Sequence, residues 1–215
     1  MIKAVSFDIG GTLIEFEKGC SLKRTLSQEL NVNLDTLNRA YREHFTERKI
    51  SLQNFCQRMH YEESSKIKEI VSKYYAEKPL ESLYPGVVNV LSELKYRGYF
   101  LMAVSNKSYE NPSCLESYSL SAYFNAEIYS YQVGYAKPDR RIFQYAQHIA
   151  NVKADEIVHV GNSIRSDVLG AKAANWHTIL MQWDKESQNE VLASDTGPDY
   201  VITNIEQLLS MIRKY

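Results

Sequence analysis

Short apolar runs alternate with longer stretches of helical spacing along most of the chain. The apolar runs predict buried strands at residues 3–8, 99–104, 126–131, 156–160, 177–181 and 200–202. Apolar positions that recur every three or four residues predict helices at residues 87–97, 138–150, 165–174 and 205–212. Strands that alternate with helices form a parallel sheet with right-handed crossovers. The pattern therefore predicts an α/β fold in which helices flank a parallel sheet.

One stretch breaks this alternation directly after the first predicted strand. Residues 20–78 contain no glycine, and Leu34, Leu37, Tyr41 and Phe45 share one helical face. A helical insertion at this point is best explained as a separate cap over the sheet. The predicted boundaries are residues 16–85 for an all-α cap domain, and residues 1–15 together with 86–215 for the α/β core.

Composition and charge narrow the class of protein. The 44% of hydrophobic residues is ordinary for a globular chain, and a net charge of −1 gives no field that attracts nucleic acid or anionic lipid. Cys20, Cys56 and Cys114 are too scattered for a disulfide framework or a zinc site, which fits a reducing compartment. No apolar run approaches the roughly 20 residues of a membrane helix, and the start is unlike a signal peptide. We therefore expect a cytoplasmic protein without nucleic-acid or membrane partners, and its oligomeric state stays open.

Polar residues follow the predicted strands at their carboxyl ends, where open parallel sheets bind ligands. They are Asp8, Ser105, Asn106, Asn162, Ser163 and Asp167, and Lys137, which precedes a predicted helix, is expected at the same edge. A nucleophilic carboxylate, small hydrogen-bonding groups, an ammonium and a second carboxylate suit phosphoryl transfer. That reaction depends on positioning and charge neutralisation.

Four segments in order along the chain also carry a family resemblance. They are FDIGGTL (7–13), VSN (104–106), AKPDRRIF (136–143) and HVGNSIRSDVLGAKAA (159–174). These segments resemble the four motifs of the haloacid dehalogenase-like hydrolase superfamily, in the branch with a helical cap after the first motif. The resemblance extends from residue 3 to about residue 205. It implies that the fold is a Rossmann-like core with an inserted cap, and that the protein is a hydrolase.

The resemblance implies a role for each matching residue. Asp8 is similar to the family's nucleophile, which forms an aspartyl intermediate and so divides one difficult step into two. Lys137 would offset the negative charge on Asp8 and on the phosphoryl group. The other catalytic positions would be Thr12, which steadies the loop, and Ser105 and Asn106 beside the phosphoryl oxygens. The Mg²⁺ ligands would be Asp8, the Gly10 carbonyl, Asn162 and Asp167.

Two residues depart from the family pattern. Gly10 stands where family phosphatases carry a second aspartate, which protonates the leaving group and later activates water. Losing such a general acid–base typically costs about 10²–10⁴-fold in rate. Asn162 stands where an aspartate usually binds the metal, so the cation site keeps an oxygen donor but loses one negative charge. We expect a Mg²⁺-dependent phosphatase that acts on a small phosphorylated metabolite. An activated substrate such as an acyl phosphate would relieve the need for an acid.

Two alternatives remain open. Haloacid dehalogenases carry tyrosine at the position of Gly10, need no metal and position water with a carboxylate like Asp167. However, Phe143 stands where they have a tyrosine hydroxyl. A non-catalytic relative that binds a ligand or regulates a partner would also tolerate Gly10 and Asn162.

The remaining ionisable residues have simpler interpretations. His159 is predicted to be a satisfied core residue. The cap charges are interpreted as a solvated helix face, and they are Arg42, Glu43, Glu47, Arg48 and Lys49. Arg39 and Arg42 are the cap candidates for a substrate contact.

Overall fold

The computed structural model describes residues 1–15, 21–61, 64–77, 82–110, 114–183 and 197–212. The strands are β1 (Ala4–Phe7), β2 (Ile14–Glu15), β3 (Ser82–Leu83), β4 (Phe100–Ser105), β5 (Ala126–Tyr129), β6 (Ile157–Gly161), β7 (His177–Met181) and β8 (Tyr200–Ile202). Six of them form one sheet in the order β5-β4-β1-β6-β7-β8, with every neighbouring pair parallel. The remaining two, β2 and β3, form a short antiparallel ribbon.

Helices connect these strands and cover the sheet. They are α1 (Leu22–Glu29), α2 (Leu34–Tyr41), α3 (Leu52–Arg58), α4 (Ser64–Ala76), α5 (Val87–Tyr96), α6 (Cys114–Ser117), α7 (Ser130–Val133), α8 (Arg140–Ala150), α9 (Leu169–Ala173) and α10 (Leu208–Met211). Two segments are π-helical. Arg42–Thr46 directly follows α2, and Ile164–Val168 directly precedes α9. Within the residues that the structure describes, no helix has the length and apolarity to cross a membrane. The predicted class, an α/β fold with a Rossmann-like parallel sheet, is confirmed.

The alternation of side chains along β1 explains how the sheet is held between two layers. Val5 and Phe7 face a cluster that includes α5 and α10, whereas Ala4 faces a cluster with α8 and α9. Fully burying side chains such as Val5 and Phe7 contributes about 1.5–3 kcal/mol each. Because Phe7 is level with Ala103 of β4 and Val160 of β6, the carboxyl ends of three central strands meet beside Asp8.

The helical region between β2 and β3 has an apolar core of its own. We call α1 to α4 with the π-helical segment Arg42–Thr46 the cap helices. The largest buried side chains of this core include Leu26, Leu37, Phe45, Phe55 and Ile67. Leu34, predicted on the same face, is 36% exposed because it starts α2 at the edge of this cluster.

Three predicted elements end or begin differently in the structure. The strand predicted over residues 126–131 stops at Tyr129, where α7 begins. The helix predicted to carry Pro138 in its first turn begins at Arg140, because the Asp139 side chain caps it by accepting from the Arg141 amide. The helix predicted from residue 165 is π-helical before it becomes α9.

Asp199 joins the last strand to the sheet through its carboxylate. It accepts hydrogen bonds from the Thr178 amide (2.7 Å) and hydroxyl (3.0 Å), and it pairs with Lys172 (3.0 Å). Partial burial opposes ionisation, but Lys172 and Thr178 outweigh it and hold the pKa of Asp199 below its usual value. The stability that it contributes is therefore present at neutral pH and is lost as the pH falls through the folded-state pKa.

We expect Asp199→Ala to lower the free energy of unfolding by about 1 kcal/mol at pH 7, since the site is partly exposed. The difference from the unmodified protein should shrink at pH 3, which lies below the ordinary pKa of an aspartate in an unfolded chain. Urea unfolding at both pH values measures this, with the exposed Asp155→Ala as the control. A loss that is as large at pH 3 as at pH 7 would contradict the electrostatic explanation.

Candidate functional site

An ammonium group bridges two carboxylates at the carboxyl edge of the sheet. Lys137 Nζ lies 2.7 Å from Asp8 Oδ1 and 2.6 Å from Asp167 Oδ1. All three residues are buried: Lys137 is 3% exposed, Asp8 is 9% exposed and Asp167 is 1% exposed. Asp8, which is more than a hundred positions from the other two residues in sequence, thus joins them in one buried cluster, as predicted from the strand ends.

Burial and charge act differently on the three groups. Burial alone would lower the pKa of Lys137, but the two carboxylates outweigh it and raise the pKa. Burial would raise the pKa of Asp167, yet Lys137 and His159 hold it well below its usual range. For Asp8 burial dominates over Lys137, and its pKa is raised.

Asn106 fixes the backbone of Lys137. Its Oδ1 accepts from the Lys137 amide at 2.7 Å, and its Nδ2 donates to the Lys137 carbonyl at 2.8 Å. The peptide bond between Lys137 and Pro138 is cis. The resemblance implied that Asn106 lies beside the phosphoryl group, whereas in the structure its amide binds the lysine loop. Ser105, the last residue of β4, stays buried at the same edge.

Two glycines allow the Asp167 segment to pack against the sheet. A Cβ at Gly161 would lie 2.3 Å from Asp167 Cγ, and a Cβ at Gly170 would lie 2.6 Å from a ring carbon of Phe143. Asp167 Oδ2 accepts from the Ser163 amide at 2.9 Å. A side chain at Gly161 would displace the carboxylate that holds Lys137, and one at Gly170 would displace the ring of Phe143.

A tryptophan side chain binds the main chain of the turn after Asp8. The Thr12 carbonyl accepts from Trp183 Nε1 at 3.2 Å, and the Trp183 ring stacks on Tyr84 with centroids 4.1 Å apart. The hydroxyl of Thr12 is fully buried and, within the part of the chain that the structure describes, makes no hydrogen bond. Thr12 thus lies in the loop that it was predicted to steady.

The predicted Mg²⁺ donors are all oxygens, from two carboxylates, an amide and a backbone carbonyl. Such hard donors suit Mg²⁺. A Cβ at Gly11 would lie only 2.3 Å from Asn162 Nδ2, so the Asn162 side chain packs on the turn that carries the Gly10 carbonyl. The described residues include no group of three or more His, Cys, Asp or Glu side chains suited to a metal. The donor set therefore fits Mg²⁺ only with the amide and carbonyl oxygens included.

His159 contacts both the neighbouring strand β1 and the carboxylate of Asp167. Its Nδ1 lies 2.9 Å from Ser6 Oγ, and its Nε2 lies 3.3 Å from Asp167 Oδ1. Burial lowers its pKa against the opposing effect of Asp167. The sequence prediction of a satisfied core residue is confirmed, but the contact with Asp167 was missed. An ionisable residue in the middle of a buried strand is the signal that indicates it.

Glu47 connects the cap helices to the lysine loop. Its side chain is 1% exposed, pairs with Arg42 (3.1 Å) and Lys49 (2.7 Å), and accepts from the Ala136 amide at 3.3 Å. The interpretation of Glu47 as solvated is wrong, because the π-helical segment ends at Thr46 and the chain then turns Glu47 inward. Arg39 is 85% exposed and pairs with Glu43, so the inward orientation considered for it is not seen.

The cap helices also contact the loop that follows β4. The Tyr109 amide donates to the Phe45 carbonyl at 3.1 Å, and the Tyr109 hydroxyl lies 3.1 Å from His44 Nε2. Together with the bond between Glu47 and Ala136, these contacts join one cap segment to both loops that position Lys137.

We expect Glu47→Gln to lower the free energy of unfolding by about 1–2 kcal/mol, because both half-exposed cations lose their buried counter-charge. Urea unfolding at low and high salt measures this. Glu43→Gln is the matched control, since Glu43 pairs with Arg39 and Arg58 inside the cap helices alone. Equal losses of unfolding free energy in the two variants would contradict a specific link from Glu47 to the lysine loop.

Comparison with known proteins places this geometry in a family. A model of the haloacid dehalogenase-like hydrolases matches residues 2–175. The chain is 30% identical over 135 residues to glyceraldehyde 3-phosphate phosphatase of Methanopyrus kandleri, which covers 61% of this chain and 57% of the relative. It is 28% identical over 151 residues to phosphoglycolate phosphatase of Vibrio parahaemolyticus, which covers 69% of this chain and 65% of the relative. The match thus spans little more than half of the first relative's length.

A solved structure supports the same fold over the whole length. The 2-haloacid dehalogenase of Pseudomonas syringae pv. Tomato DC3000 aligns with a TM-score of 0.69 at 21% identity, and the alignment covers 100% of this chain and 99% of that one. The family model matches most of the chain and includes Asp8, Lys137 and Asp167, so the chain belongs to the haloacid dehalogenase-like hydrolases.

Proposed function

We propose that the protein is a phosphatase that hydrolyses a small phosphorylated metabolite through an aspartyl-phosphate at Asp8. The observation that carries this proposal is the bridge from Lys137 to both carboxylates. Asp8 lies beside this counter-charge at the carboxyl edge of the sheet, where ligands of such folds bind. The relatives named above are phosphatases of small phosphorylated compounds, which supports the substrate class.

The reaction follows from what each side chain can do. The Asp8 carboxylate attacks phosphorus, a P–O bond forms, and the bond to the leaving group breaks with its electron pair. Lys137 stays protonated and offsets the charge that gathers on Asp8 and the phosphoryl oxygens. Water then hydrolyses the aspartyl-phosphate and restores Asp8. Mg²⁺, held by the oxygens of Asp8, Gly10, Asn162 and Asp167, would supply further positive charge next to the phosphoryl group.

Gly10 limits which leaving groups can depart. Because glycine provides no acid, the leaving group departs without a proton from this position. A substrate whose leaving group is stable as an anion, such as the carboxylate of an acyl phosphate, fits this site better than an alkyl phosphate. We therefore propose activated phosphates as the preferred substrates, and a cytoplasmic location in keeping with small metabolites.

Dehalogenation is the second candidate, because a halide also leaves without a proton and Lys137 by itself offsets charge on Asp8. Against it, Phe143 is fully buried and packs edge-on against Trp176 and His159, so it offers no hydroxyl to a substrate. Phosphatase chemistry needs no such hydroxyl, and we favour it.

A substrate panel tests the proposal. Release of inorganic phosphate is measured from acyl phosphates, sugar phosphates and short phosphorylated acids, with and without Mg²⁺, and halide release is measured from 2-haloacids. We expect phosphate release that is Mg²⁺-stimulated and fastest for acyl phosphates. Halide release without metal would favour the dehalogenase, and no turnover of any compound would favour a non-catalytic relative.

A further inference from the structure

We propose that His159 is a positioning residue that holds Asp167, and through it Lys137, in the geometry needed for reaction at Asp8. Its catalytic consequence rests on the proposed function. The structural part, a hydrogen bond that His159 donates to Asp167, stands on the geometry alone.

The imidazole ring is fixed on every side that the structure describes. His159 is 1% exposed, and its ring meets Phe143 edge-on at 5.3 Å and Trp176 at 6.4 Å. Ser6 lies directly opposite on β1 and places its hydroxyl 2.9 Å from Nδ1. A ring held by aromatic contacts and by a neighbouring strand has little freedom to move away from Asp167.

The chemistry of the partners determines where the ring hydrogen lies. The ionised carboxylate of Asp167 only accepts hydrogen bonds, so Nε2 must carry the hydrogen and donate. The other nitrogen of the neutral ring is then an acceptor, and the hydroxyl of Ser6 donates to it. Asp167 thus selects the tautomer, and the hydroxyl of Ser6, which can donate or accept, is compatible with it.

His159 acts on the same oxygen that binds the catalytic lysine. Asp167 Oδ1 accepts from Lys137 at 2.6 Å and lies 3.3 Å from His159 Nε2, while Oδ2 accepts from the Ser163 amide. Contacts from three directions therefore fix the carboxylate plane. Without His159, a rotation of Asp167 would carry Lys137 away from Asp8. This would slow the chemical step and leave substrate binding nearly unchanged.

Kinetics with paired substitutions separate positioning from packing. His159→Gln keeps an N–H near the position of Nε2, whereas His159→Leu keeps the bulk and removes the donor. For the best substrate of the panel, we expect His159→Leu to lower kcat by about 10–100-fold with KM changed less than about twofold. His159→Gln should recover most of that loss. His177→Leu is the control, because His177 contacts the Asp155 carbonyl on the opposite end of the sheet. Equal losses in the Gln and Leu variants would overturn the proposal.

Nitrogen NMR of histidine-labelled protein tests the contact without any turnover. The His159 signals are assigned by their loss in His159→Gln. We expect Nε2 to resonate as a protonated nitrogen and to shift in Asp167→Asn, whereas the signals of His177 stay in place. A His159 Nε2 that carries no hydrogen would overturn the proposal. If the unmodified protein turns over no substrate, the proposed function fails, while this spectrum still decides whether His159 donates to Asp167.

Discussion

Replacing Asp8 with asparagine is expected to lower the rate of phosphate release by at least about 10⁴-fold, the order seen when a covalent nucleophile is removed. The amide oxygen of asparagine is similar in shape but is a poor nucleophile, so no aspartyl-phosphate can form. Lys137 keeps its contact with Asp167 in this variant. Burial disfavours the charge on Asp8 in the native site, so we expect the free energy of unfolding to stay equal or to rise by about 1 kcal/mol.

Phosphate release and urea unfolding are measured on the same samples of the Asp8→Asn variant. The exposed Asp155→Asn is the matched control, and it should change neither quantity. A variant that unfolds earlier than the native protein would show that Asp8 is chiefly structural. Residual turnover within tenfold of the native rate would exclude Asp8 as the nucleophile.

The parallel sheet and the location of the site follow from local signals in the sequence. Each inner strand is an apolar run, and the burial of β6 on both faces explains why that run contains no regular alternation. Asp8 and Ser105 end such runs, so the rule that ligands bind at the carboxyl ends of parallel strands was enough to group them. The turn at Gly11, with φ of 75°, is similarly local, because glycine adopts that conformation most easily.

Other parts of the site depend on which elements become neighbours. The bond between Ser6 and His159 exists because β1 and β6 are adjacent and in one register, and neither residue indicates this alone. Glu47 looked like a solvated helix residue, since the π-helical segment that redirects it is not visible in a periodic pattern. Asn106 binds the Lys137 backbone, a contact between two loops that residue types alone do not indicate. Long-range contacts of this kind are set by tertiary packing and not by the spacing of residue types.

Restoring a carboxylic acid by Gly10→Asp is expected to raise kcat for ordinary alkyl phosphates by about 10²–10⁴-fold, the usual contribution of a general acid–base. The left-handed conformation in this turn belongs to Gly11, with φ of 75°, so the substitution avoids the residue that most needs glycine. An alkoxide leaving group depends on a proton, whereas a carboxylate does not. We therefore expect acyl phosphates to gain far less than alkyl phosphates from the new aspartate.

The ratio of the rates for an alkyl phosphate and an acyl phosphate is the decisive measurement. Gly10→Asn is the matched control, because it adds the same bulk without an acid and should leave the ratio unchanged. If both variants raise the alkyl phosphate rate equally, the gain comes from packing of the turn. If Gly10→Asp folds and the ratio stays constant, either protonation of the leaving group was not limiting or another group of the native site supplies the proton. A rise confined to the aspartate variant and to alkyl phosphates would assign the substrate preference of the native enzyme to the missing side chain at position 10.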